Sequence, residues 1–166
     1  MVLTPDQITE LKEIIHTSLT SLYHEDEFLI DVRANERSIA FRFGLYFMES
    51  IADSSFASDN ELSIDFDYNR KELGTKLMTG FSSTHGIFPD IILHKRNSAE
   101  KNVVVIEFKG RWSNNNRARS RDFLKLQGFT DQESNGYSYG LGVFVDIGRT
   151  LEECSYTYFI NGHQQE

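Results

Sequence analysis

Residues 4–24, TPDQITELKEIIHTSLTSLYH, place Ile8, Leu11, Ile14/Ile15 and Leu19/Leu22 at helical spacing, which predicts an amphipathic helix. Thr4 suits its N-cap and Pro5 its first position, where a missing N–H does no harm. A second helix is expected from about Asn35, a good N-cap, with Glu36 in its first turn. Its apolar positions, Ile39, Ala40, Phe43, Leu45, Phe47, Met48 and Ile51, surround most of the axis and predict a central, buried helix. The period then changes to two. ELSIDFDY (61–68) alternates Leu62, Ile64 and Phe66 with Ser63, Asp65 and Asp67, as a half-buried strand does. A loop of about twenty residues follows, a length that is uncommon without function or structure of its own. Two apolar runs, Ile91–His94 and Val103–Ile106, then flank a polar turn. RARSRDFLKLQGFTDQE (117–133) reads as a helix with Phe123, Leu124 and Leu126 inward, and YSYGLGVFVDI (137–147) and CSYTYFI (154–160) are β-rich. The order α-α-β-β-β-α-β-β predicts an α/β fold, a mixed central sheet of about five strands flanked by helices.

The hairpin carries charges where its surroundings are most apolar. With a symmetrical turn, residues whose numbers sum to 197 face one another, so Asp90 falls opposite Glu107. Side chains alternate along a strand, so Glu107 and Lys109 share a face while Phe108 points away. Pro89 suits the first residue of a strand. Two carboxylates and an ammonium are thus expected at one end of the sheet. Carboxylates this close share a proton or bind a cation, and oxygen ligands without His or Cys favour Mg²⁺ or Mn²⁺. The plainer reading is a set of strand-end charges, with Lys109 paired to either acid.

Composition narrows the classes. The chain of 166 residues is long enough for one domain, and 39% hydrophobic residues, with thirteen Phe and seven Tyr, can fill its core. The first residues are acidic where a signal peptide is basic, and no apolar run approaches the ~18 residues of a membrane span, so a soluble, cytoplasmic protein without a membrane partner is expected. Cys154 is alone, so no intrachain disulfide forms, and it reads as a small strand residue rather than a reactive thiol. The five His have no metal-ligand spacing. The net charge of −8 argues against broad, avid binding to nucleic acid. Its distribution is uneven. Between Lys109 and Lys125 six basic residues stand against one acid, Asp122, a stripe of +5 that leaves −13 on the remainder. Such a stripe is a confined contact for a polyanion or a solvated helix face.

PD at 89–90, followed after sixteen residues by EFK at 107–109, resembles the PD-(D/E)xK nuclease superfamily, which has the restriction-endonuclease-like fold. Glu36 stands where members often place a further acid, and DFLKLQGFT (122–130) is similar to the D-x-x-K-L helix of many members. The resemblance runs from about Asn35 to Ile147, which divides the single domain into a helical extension (1–30), a nuclease core (31–147) and a C-terminal strand (148–166).

The resemblance implies a Mg²⁺- or Mn²⁺-dependent nuclease that hydrolyses phosphodiester bonds, of DNA rather than RNA, and a homodimer if it cuts duplex. Asp90 and Glu107 would hold the ion, and Glu36 would reach it through water or hold a second. Lys109 would orient the attacking water and offset charge on the phosphate oxygens. Arg117, Arg119 and Arg121 would grip flanking phosphates, Trp112 would stack a base, and Tyr68 and Arg70 would lie near the site. Beside these readings stand plainer ones: Trp112 as cover for the sheet edge, Arg70 paired with Asp67 or Glu72, and His85 as a solvent-facing loop residue rather than a site residue. Two other classes fit the same residues, a nuclease-like domain that binds nucleic acid or protein without cutting, and an acidic inhibitor or partner subunit.

Overall fold

The computed structural model describes residues 1–71, 74–75, 77–78, 81, 86–98, 100–133 and 136–165. Helix α1 (Pro5–Glu25) begins with a reciprocal cap, in which Thr4 Oγ1 accepts from Gln7 N (3.2 Å) and Gln7 Oε1 accepts from Thr4 N (3.0 Å). A short helix α2 (Glu27–Asp31) occupies a stretch too brief to show a period. Asn35 then caps α3 (Glu36–Ala52), its side chain accepting from Ser38 N at 2.9 Å.

The strands are β1 (Leu62–Phe66), β2 (Arg70–Lys71), β3 (Gly74–Thr75), β4 (Ile91–Lys95), β5 (Asn102–Gly110), β6 (Leu141–Ile147), β7 (Ser155–Ile160) and β8 (His163–Gln164), with helix α4 (Asn116–Thr130) between β5 and β6. Six of them form one sheet in the order β1-β4-β5-β6-β7-β8, and β2 and β3 pair separately. The β5–β6 pair is parallel and the others are antiparallel, so the sheet is mixed, as expected, with one strand more than the pattern predicts. The extra strand, β8, is two residues long and exposed, too short to leave a signature.

Both faces of the sheet are covered, which is why its central strands are nearly continuous runs of Val and Ile. On one face Ile91, Leu93, Val104, Ile106, Phe108, Val143 and Val145 pack against Leu11, Ile15, Phe43 and Phe47 of α1 and α3. On the other, Ile92, Val105 and Phe144 meet Leu126 and Phe129 of α4, with Tyr137 and Tyr139 beside them.

Two expectations are corrected. Helix α3 is less enclosed than its apolar positions suggest: Ile39, Ala40, Phe43, Phe47 and Ile51 are buried, but Phe41 and Met48 are about half exposed, because among the described residues no layer covers that flank. Leu124 points outward at 57% exposure. Asp122, Leu126, Phe129 and Thr130 take the buried side of α4, and Leu124 lies two residues from both Asp122 and Leu126, on the opposite side of the turn. Phe123, also expected inward, is partly buried against Phe144 and Phe159. Among the described residues no helix is long and apolar enough to cross a membrane.

Phe43 joins α3 to the sheet, its ring edge-on to Phe108 with centroids 4.9 Å apart. Phe43→Ala is expected to cost roughly 3–5 kcal/mol, read as a lower urea midpoint with an unchanged slope.

Candidate functional site

The hairpin register places the charges. Ile91 pairs with Ile106, Ile92 with Val105 and Leu93 with Val104, each sum being 197, and the register shifts only beyond Leu93, where His94 meets Asn102. The next positions outward are Asp90 and Glu107. The Asp90 carboxylate turns across to β5, its Oδ2 accepting from Phe108 N at 2.8 Å. Glu107 lies on the face of Val105, toward α4, and only 2% of it is exposed.

Helix α4 delivers two more charges. Asp122 and Lys125, three residues apart on one face, pair with each other (Nζ to Oδ1, 2.7 Å), and Lys125 Nζ also donates to Glu107 Oε2 at 2.9 Å. Lys109 Nζ donates to Glu36 Oε2 at 2.7 Å and lies 3.2 Å from Asp122 Oδ2. Lys109 therefore pairs with neither Asp90 nor Glu107; its carboxylate partners come from α3 and α4. Glu36 also accepts weakly from Gly110 N (3.4 Å).

Four carboxylates (Glu36, Asp90, Glu107, Asp122) face two ammoniums (Lys109, Lys125), so the ionised cluster carries two excess negative charges. The strain falls on the most buried acids. Burial pushes the Asp90 carboxyl up to about 6, against the pull of the Phe108 N–H and of both lysines. Burial, and then the neighbouring Asp90, push Glu107 well above the usual carboxylate range, although Lys125 opposes this. Burial works against the charge on Lys109, and the adjacent Glu36 and Asp122 outweigh it and hold that ammonium above its ordinary value. Lys125 is raised in the same way by Glu107 and Asp122.

Among the described residues the buried Glu107 Oε1 accepts no hydrogen bond. An unpartnered carboxylate oxygen beside a second carboxylate suits a hard cation, and Mg²⁺ is commonly held by one or two carboxylates with water or phosphate completing its shell. Asp90 and Glu107 form such a pair. No group of three or more His, Cys, Asp or Glu gathers in a metal-holding arrangement among the described residues, and Glu36 stands apart, on Lys109. A cleft of about 300 Å³ opens beside the cluster, lined by Lys109, Asp122, Lys125, Arg121, Phe81 and Phe88.

The arginines expected to meet phosphate take different places. Arg121 is exposed and lies over the Phe81 ring (5.5 Å) at this cleft, and Arg117 is exposed nearby on the first turn of α4. Arg119 is committed internally, to Asp146 Oδ1 (2.8 Å) and to the Gly110 carbonyl (2.9 Å). Tyr68 packs its ring 4.8 Å from His94, partly buried at the second core. Arg70 is exposed and forms no ion pair among the described residues, while Asp67 pairs with Arg37 (3.4 Å). Glu72 and His85 lie outside the described residues. Trp112 lies against Gly110 and lines a separate cleft with Arg33, Arg111 and Arg149.

Asp122 and Lys125 are the residues that the sequence-derived site set omits. The signal for them is present in DFLK, whose i,i+3 spacing puts both on the α4 face that packs on β5. No family model, curated protein or solved structure matches this chain.

A carboxyl raised by the fold keeps its proton between about pH 4 and pH 6, where the unfolded chain has lost it, so its contribution to stability falls as pH rises through that window. Asp90→Asn removes this loss. In chelator-treated protein the melting temperature of Asp90→Asn relative to the native chain should therefore rise from about pH 4 to above about pH 6. A constant or shrinking difference would show that Asp90 is not held protonated.

Proposed function

We propose that this chain is a divalent-metal-dependent nuclease, related to the PD-(D/E)xK superfamily, that hydrolyses phosphodiester bonds in nucleic acid, DNA in preference to RNA. The observation that carries this reading is the gathering of Asp90, Glu107 and Lys109 at one sheet end, with the buried Glu107 Oε1 lacking a donor. Only when both of these acids are ionised does the cluster carry two excess negative charges, which one Mg²⁺ or Mn²⁺ would offset, and Asp90 and Glu107 are the residues that would hold it.

When bound there, the ion would supply Lewis-acid polarisation of the phosphate and a water of lowered pKa. The chain's own groups do the rest. Lys109, steadied between Glu36 and Asp122, brings a fixed positive charge to the cleft, where it orients water and offsets charge developing on the phosphate oxygens. Lys125 fixes the orientation of Glu107 and prevents the acid pair from repelling itself apart. Arg121 at the cleft mouth offers a phosphate contact on the adjoining strand segment.

A second reading, a nuclease-like domain that binds without cutting, draws on the Lys125–Glu107 pair, since that ammonium already compensates the more buried acid. The two readings differ in their response to metal.

Millimolar Mn²⁺ or Mg²⁺ should raise the melting temperature of the native chain, more at pH 8 than at pH 6, where the Asp90 proton competes, and should not raise that of Asp90→Asn. With either ion, cleavage of single- or double-stranded DNA is expected to exceed that of RNA. Asp90→Asn and Lys109→Met should each lower the rate by about a hundredfold or more, with circular dichroism unchanged. Cleavage that survives either substitution assigns the chemistry elsewhere; metal-insensitive melting with no cleavage favours the non-cutting domain.

A further inference from the structure

We infer that the cleft lined by Arg33, Arg111, Trp112 and Arg149 binds an unpaired nucleotide of a nucleic-acid strand, the guanidiniums taking its phosphates and the indole its base. The inference rests on the proposed nuclease reading for its purpose, but its evidence is separate. The cleft has a volume of about 520 Å³, and its one acidic lining residue is Glu153. That carboxylate is engaged locally, with Oε2 accepting from Arg149 N at 2.9 Å.

Two of the three guanidiniums, those of Arg33 and Arg149, have no carboxylate partner among the described residues. Acidic residues outnumber Lys and Arg by 25 to 17, so most cations have a carboxylate to hand. Arg33 and Arg149 are both exposed. Arg111 is half exposed, and its contact with Asp146 is long, at 3.4 Å. Like charges facing one space repel, and an anionic occupant relieves the repulsion. Guanidinium is the group that matches phosphate in a bidentate fork.

The aromatic member narrows the anion to a nucleotide. Trp112 is half-buried, resting on Gly110, where a Cβ would come within 2.3 Å of the indole Cε2. The indole is thereby held against the strand end, as a stacking platform must be. A base can stack on it only when unpaired, which selects single strand over duplex. Trp112 is three residues beyond Lys109, so at most about 10 Å of chain separates them. Gly110, between them, contacts the indole and donates its N–H to Glu36, the carboxylate partner of Lys109. A nucleotide seated on Trp112 brings its neighbouring phosphodiester to the Lys109 end of the sheet.

Trp112 is the protein's single tryptophan, so its fluorescence reports this cleft alone. In EDTA, titration with single-stranded oligothymidylate should quench it, and the affinity should fall with salt. In the Arg33→Ala/Arg149→Ala double variant, which alters only exposed side chains, the log–log salt slope should shrink by about 1.4, or 0.7 for each phosphate no longer neutralised. Blunt duplex and inorganic phosphate should quench little. The inference is overturned by absence of quenching, by an unchanged slope in the double variant, or by equal quenching with duplex or phosphate. Quenching in a protein that never cleaves with Mg²⁺ or Mn²⁺ would uphold this site and refute the hydrolytic reading. Cleavage without quenching would do the reverse.

Discussion

The β4–β5 register is the constraint on which the candidate site depends. A strand that slips by one residue turns every side chain to the opposite face. Here a slip would take Asp90 away from Glu107 and drive the apolar Ile91 and Leu93 out of the core they share with α1 and α3. The charged end of the hairpin is therefore held in place by its uncharged middle. Ile91, Ile92 and Leu93 are at most 1% exposed, and so are Val104, Val105 and Ile106 opposite them. Burial of this kind contributes about 1.5–3 kcal/mol for each large side chain, which is ample to oppose the repulsion of two neighbouring carboxylates.

The second constraint is charge compensation. Isolated carboxylates are not stable in such a place, and burying ions is costly even when they are paired. The fold responds with a Phe108 backbone N–H on Asp90, the Lys125 ammonium of α4 on Glu107, and the Lys109 ammonium acting on Asp90 at longer range. Asp122 and Glu36 then hold the lysines in turn. The arrangement is a relay in which each group's position depends on its neighbour's. Removing one member leaves another buried and unpaired, so substitutions here act on more than the residue replaced.

The sequence makes some of this legible and hides the rest, for physical reasons. Helices α1 and α3 and the hairpin can be read because their periods are long and their caps, Thr4 and Asn35, are chemically distinct. The proximity of Asp90 and Glu107 follows from pairs that sum to 197, a rule that holds at Ile91, Ile92 and Leu93, although the turn itself is not symmetrical, since His94 meets Asn102 and not Val103. The partners of Lys109 cannot be read that way. Glu36 and Asp122 reach it from α3 and α4, which pack on opposite faces, and no local pattern encodes how two helices meet around a sheet end. The outward turn of Leu124 and the exposure of Met48 have the same origin, since an apolar residue declares a preference but not which flank of its helix is covered. Arg119 looks like its neighbours in the basic stripe, and only the tertiary position of Asp146 separates it from them.

The irregularity between Leu93 and His94 has a bearing on how the hairpin tolerates change. It confines the mismatch in strand length to the turn end, where Lys95 N bonds the Lys101 carbonyl (2.9 Å) and Lys101 is moored to Asp59 and Glu61. Asn102, just inside, is pinned to the segment leading into β6 by its side chain on the Tyr137 carbonyl and by its own carbonyl on Gly140 N. Residues 97 and 98, beyond the Arg96–Asp65 ion pair that ties the turn to β1, are accordingly a natural graft point, where an epitope or a spectroscopic label can be spliced in while the distant carboxylates stay aligned.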